Sequence, residues 1–155
     1  RYLHMWTRRQ LLMCIRDSIM TFVPNFISET NQSRKKIPSE VLLKDTVNNM
    51  SRVALLIDSL KSGDYSYLKS ATEDFLHQNI RLESFPQIKF LMGAAIEAGA
   101  LGAILSGSGP TLMVFTKGKE FTIDYELKEA ARKHNLEGKI TLTKISNKGV
   151  SIIDG

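Results

Sequence analysis

Apolar positions along the chain follow two rhythms. IMTFVPNF (19–26) mixes β-branched and aromatic residues and stops at Pro24, which predicts a strand. SETNQSRKKIP then offers Ser, Thr and Asn as caps for a short helix closed before Pro38. From Asp45, a good N-cap, the residues Val47, Met50, Val53, Ala54, Ile57 and Leu60 recur at helical spacing as far as Ser62-Gly63-Asp64. A second helix is expected with Leu68, Ala71 and Phe75 on its buried face. A third opens at Pro86 and carries Ile88, Leu91, Met92 and Ala95 to a stop at Gly99. Strand, glycine loop and strand follow over 102–115. Leu127, Ala130, Ala131 and His134 mark another helix, broken near Gly138. KITLTKI (139–145) alternates in the strand period, Asn147-Lys148-Gly149 signals a turn, and VSIID (150–154) reads as a last strand. The order is β, several α, β–β, α, β–β. It predicts an α+β domain with helices over one face of a largely antiparallel sheet.

Composition narrows the class without naming a function. With 155 residues, 43% apolar and 24% charged, the chain suits one globular domain with its own core. No run of 18 apolar residues is present, so no membrane partner is expected. The net charge of +5 suits an anionic ligand, but the basic residues are spread out, which argues against nucleic acid. Cys14 is the single cysteine, so neither an internal disulfide nor a zinc spacing exists, and a reducing cytosolic or organellar setting is expected. Residues 1–18, RYLHMWTRRQLLMCIRDS, begin without Met and lack a signal-peptide core. They are left unassigned, as a non-native or irregular segment ahead of a domain at 19–155.

Candidate chemistry centres on Ser106-Gly107-Ser108-Gly109-Pro110. It is no Walker A loop, because the Gly-Lys-Ser/Thr ending is missing. A strand follows Gly109 where a dinucleotide fingerprint needs a helix. The run reads either as a hairpin turn or as a nest, in which Gly107 and Gly109 let backbone N–H groups face an anion. Arg34 and Arg81 each offer a guanidinium fork for a carboxylate or phosphate, although spacing alone does not bring them together. His77 follows Glu73 and Asp74 by one helical turn, so a His–carboxylate pair is feasible, as a structural feature ahead of a general base. His134, Met92 and Met113 sit at core spacing.

Together these segments resemble a family. Leu105-Ser106-Gly107-Ser108-Gly109-Pro110-Thr111-Leu112 is similar to the third motif of the GHMP kinases. Pro24-Asn25-Phe26, Thr30-Asn31-Gln32-Ser33-Arg34, Ile37-Pro38 and Lys44-Asp45-Thr46-Val47-Asn48-Asn49-Met50-Ser51-Arg52 narrow the resemblance to the homoserine kinase branch. Glu73-Asp74-Phe75-Leu76-His77-Gln78 with Arg81, and Glu97 to Ala103, complete the set, which runs from about residue 19 to 155. The resemblance implies a ferredoxin-like C-terminal domain of an enzyme that moves the γ-phosphoryl group of Mg-ATP to the hydroxyl of L-homoserine. The product is O-phospho-L-homoserine, on the route to threonine. It also implies that Thr30, Arg34, Arg81 and Gly107 hold the amino-acid substrate.

The family's Pro-x-x-x-Gly-Leu-Gly-Ser-Ser-type ATP loop does not occur here. The chain is therefore expected to be a C-terminal half, inactive alone, with ATP and Mg2+ bound through a separate N-terminal domain and no catalytic residue or metal ligand identified. Expected partners are L-homoserine, ATP and a second copy in a homodimer, in the cytoplasm or, for a plant or alga, the plastid. The alternatives are another GHMP small-molecule kinase, acting on a sugar or isoprenoid alcohol, and a non-catalytic amino-acid-binding ferredoxin-like domain.

Overall fold

A computed structural model describes residues 18–26 and 36–144. In chain order the elements are β1 (Ser18–Pro24), α1 (Leu43–Ser62), α2 (Leu68–Ala71), α3 (Gln78–Leu82), α4 (Pro86–Glu97), β2 (Gly102–Leu105), β3 (Leu112–Thr116), α5 (Glu120–Lys133) and β4 (Gly138–Lys144). The four strands form one sheet in the order β2-β3-β1-β4, and every neighbouring pair is antiparallel. This βαββαβ path is the expected ferredoxin-like arrangement, with α1 to α4 filling the first crossover. The short helix ahead of Pro38, the turn at 147–149 and the strand at 150–154 lie outside the described residues, as do residues 1–17.

Strand alternation divides the apolar side chains between two layers. Met20 and Phe22 of β1, Leu112 and Val114 of β3, and Ala103 and Leu105 of β2 face α4 and α5, which contribute Ile88, Leu91, Ala95, Ile123, Leu127 and Ala131. The opposite face is not bare, contrary to the expectation of helices on one side. Ile19, Ile104, Met113 and Phe115 pack there against Leu68 and Ala71 of α2 and Leu55 and Leu56 of α1. The physical reason is that GAIL and LMVF are apolar in both phases of the pleat, so both their faces need cover.

Two helix expectations are corrected. α1 begins at Leu43, two residues before Asp45, and the Leu42 carbonyl accepts the Asp45 and Thr46 N–H groups at 3.0 and 3.1 Å. Asp45 thus contributes a first-turn charge favourable to the helix dipole rather than a cap. The periodic stripe of α1 also faces outward: Val47, Met50, Val53 and Ile57 are 50–67% exposed, while Leu55, Leu56 and Ser59 lie on the inner side. The second helix stops at Ala71, so Phe75 falls outside it and is exposed.

Gly102 lets β2 lie tightly on the end of α2. A Cβ there would meet the Thr72 side chain at 2.8 Å and the Leu68 carbonyl at 3.1 Å. This close approach fixes β2, and with it the start of the glycine loop, against the segment 72–82 that carries Arg81.

Candidate functional site

The site is built on α3, a helix of five residues that is too short to hold itself. Asp74 supplies what the helix lacks. Its Oδ1 accepts the N–H groups of Leu76, His77 and Gln78 at 2.8, 2.6 and 3.0 Å, which pins the turn leading into the helix and pairs the donors of its N-cap and first residue. Its Oδ2 lies 3.1 Å from His77 Nε2, the histidine–carboxylate pair that the spacing allowed. Burial alone would raise the Asp74 carboxyl above its ordinary value. The three amides and the His77 charge outweigh burial and hold it lower. Upstream, Phe75 N–H donates to Asn49 Oδ1 at 3.1 Å and Arg52 pairs with Glu73 at 2.9 Å, tying the segment to α1.

Arg81 sits in the last turn of α3 and donates from Nη1 to the Gly107 carbonyl at 2.5 Å. Its Nε is buried, with no partner among the described residues. Three residues earlier, the buried Gln78 accepts the Leu105 N–H on Oε1 at 2.8 Å. The helix thus meets the glycine loop at two points. The loop itself is closed by Ser106 N–H on the Thr111 carbonyl at 2.8 Å and Gly109 N–H on the Ser106 carbonyl at 3.2 Å. Gly107 and Gly109 take φ of 60° and 77°, which favour glycine, and the Gly109-Pro110 peptide is cis. The nest expectation is modified, because the Gly109 amide is used inside the loop. The Gly107 and Ser108 amides have no acceptor among the described residues, and a Cβ on Gly107 would meet open space.

Thr30 and Arg34 lie outside the described residues. The described residues flanking their segment converge on one corner beside the site. Phe26 stacks on Phe85 with centroids 5.8 Å apart, and Lys36 Nζ donates to Ser84 Oγ at 2.6 Å. Phe85 also lies against the position where Gly109 would carry a Cβ, at 3.6 Å. Sequence reasoning carried Gln78 only as part of the Glu73–Gln78 segment, with no role of its own, and gave Asp74 no role beyond that of a histidine partner. The available signal was an Asp placed three and four residues ahead of His77 and Gln78, the spacing of a helix-start acceptor. His134, expected to be structural, stacks on Phe90 at 4.1 Å, away from this site.

A family model described as GHMP kinases C terminal matches residues 56–135, from the middle of α1 to the end of α5, with Arg81 and the glycine loop inside it. The chain belongs to the GHMP kinase family. Over 136 residues it is 38% identical to the homoserine kinase of Clostridium beijerinckii, covering 88% of this chain and 46% of that protein. The homoserine kinase of Desulfitobacterium hafniense is 32% identical over 135 residues, with 86% and 46% covered. A crystal structure of homoserine kinase from Cytophaga hutchinsonii shares the fold at a TM-score of 0.78 and 23% identity, over 83% of this chain and 41% of that one. This GHMP kinase chain spans about half the length of the curated relatives it matches. Among its described residues no helix is long and apolar enough to cross a membrane.

Proposed function

We propose that this chain is the acceptor-binding half of a homoserine kinase. In the full-length protein the γ-phosphoryl group of ATP passes to the side-chain hydroxyl of L-homoserine. A new O–P bond forms as the bond to the β-phosphate oxygen breaks, the hydroxyl gives up its proton, and ADP leaves. The observation that carries the reading is the Arg81 guanidinium held against Gly107, in a chain whose relatives of over 30% identity are homoserine kinases.

Arg81 keeps donors in reserve beyond the one spent on Gly107, which suits it to an α-carboxylate. The Gly107 and Ser108 amides, which have no acceptor among the described residues, suit an oxygen anion approaching the backbone from the open side of the loop. The Phe26–Phe85 and Lys36–Ser84 contacts support placing Thr30 and Arg34 on the same substrate, since both ends of their segment dock beside it. Phosphoryl transfer depends mainly on position and charge, and this half supplies the position of the acceptor. We infer that the ATP phosphate loop belongs to the part of the relatives' length that this chain does not span.

The test is homoserine-dependent ADP release by the full-length protein. Arg81→Ala and Arg34→Ala should each lower kcat/KM for homoserine by roughly ten- to a hundredfold, the value of a charge-assisted hydrogen bond. Unchanged activity in both variants would sink the carboxylate clamp.

A further inference from the structure

We propose that Gln78 is the positioning residue of this site: its side-chain carbonyl sets where the glycine loop begins relative to Arg81. The inference rests on reading the site as the homoserine pocket. Among the described residues β2 is an edge strand, paired only with β3. The Ser106 N–H turns toward β3 and reaches the Thr111 carbonyl. Successive amides on a strand point to opposite sides, so the Leu105 N–H points away from β3, where no described strand offers an acceptor. Gln78 Oε1 takes that place at 2.8 Å, on a residue only 7% exposed.

The consequence is geometric. Gln78 and Arg81 stand one helical turn apart on α3, and their bonding partners, Leu105 and Gly107, stand two residues apart on the chain entering the loop. Between α3 and the loop two ties fix both distance and direction, where the Arg81–Gly107 bond alone would fix one point, and they add to the hold that the Gly102 contact has on β2. Arg81 is also the group proposed to hold the substrate, so it cannot serve as the rigid tie by itself. Gln78 touches no reacting atom. It keeps the Gly107 carbonyl where Arg81 can lean on it while the rest of the guanidinium stays directed at the ligand. Asp74 supports the arrangement by holding the amide of Gln78 itself.

The test compares Gln78→Met, which keeps length but loses the acceptor, with Gln78→Glu, which keeps an acceptor oxygen in place. In the full-length protein Gln78→Met should raise KM for homoserine by about tenfold or more, as a small misplacement does, with KM for ATP within about twofold. Gln78→Glu should recover most of the loss. A Met variant with unchanged KM for homoserine, an equal rise in both KM values, or no recovery in Glu would overturn the proposal. Should Gln78→Met fold poorly, Gln78→Asn removes the same bond with a polar side chain and should show the same split. Hydrogen exchange separates this inference from the functional reading: the Leu105 amide should exchange at least about tenfold faster in Gln78→Met, whatever the substrate. Protection equal to wild type would refute the tie even in an active kinase. A wild-type protein that ignores homoserine would refute the reading while leaving the tie measurable.

Discussion

Replacing Asp74 with alanine removes one acceptor from three amides at once. Asp74 Oδ1 is the partner of Leu76, His77 and Gln78, and its side chain is only 16% exposed, so water replaces it incompletely. Losing a helix-start acceptor costs about 0.5–2 kcal/mol. Hydrogen bonds to a charged group contribute about 1.5–3 kcal/mol, against which partial rehydration must be set. A loss of about 2–3 kcal/mol from Asp74→Ala follows, with Asp74→Asn costing roughly half, because it keeps an acceptor but not the charge. Urea denaturation of the 155-residue chain at neutral pH reads both values.

The same experiment carries a pH signature. Burial acts to raise the Asp74 carboxyl, yet the three amides and His77 hold it below its ordinary 3.8. A group depressed in the folded state contributes fully above its unfolded value and loses that contribution as pH falls through the folded one. The gap between wild type and Asp74→Ala should therefore be constant above about pH 5 and narrow below 3.8. A difference under about 0.5 kcal/mol, within the range of ordinary surface changes, would refute the capping argument. So would an Asn variant as damaged as Ala, or a gap that ignores acid.

Other substitutions probe the scaffold around the site. Gly93 is exposed inside α4 with nothing within 4 Å of a Cβ, so Gly93→Ala should add about 0.5–1 kcal/mol in the same denaturation assay. Gly138→Ala should do the reverse, since its Cβ would come within 2.5 Å of the Phe22 ring and 2.7 Å of the Val23 carbonyl. A loss of about 1–3 kcal/mol is expected from such overpacking. Leu112, fully buried between the sheet and its helices, should cost about 2–5 kcal/mol as Leu112→Ala, read as a lower urea midpoint with an unchanged slope.

Much of the fold was legible because its signals are local. Pro86 marks the first turn of α4, and Gly99 with φ of 99° follows its end. Ile88, Leu91 and Ala95, spaced for one helical face, are all fully buried. In β4 the alternation of KITLTKI (139–145) matched the start of the strand Gly138–Lys144 to within one residue, Ile145 lying outside the described residues. The candidate site was legible only in part. Arg81 and Gly107 stood out by residue type, and the structure joins them directly across 26 positions of sequence. Gln78 did not stand out, because glutamine is ordinary on an exposed helix and nothing local announces that this one is buried. α3 itself escaped notice: five residues give too little periodicity, and its stability comes from Asp74 rather than from an apolar stripe.

The sequence by itself determined the order of the four strands and of α1, α2, α4 and α5, and the ordered motifs that place the chain among the GHMP kinases. These depend on backbone period, turn residues and residue identity, all of which operate over a few neighbours. Only the tertiary structure decided which side of α1 turns outward, that Asp74 starts the helix carrying Arg81, and that Gln78 meets the edge of β2. Periodicity states that a face exists but not what lies opposite it. The opposing surface is made of residues distant in the chain, and the requirement that a buried amide find an acceptor chose Gln78 for Leu105 across 27 positions of sequence.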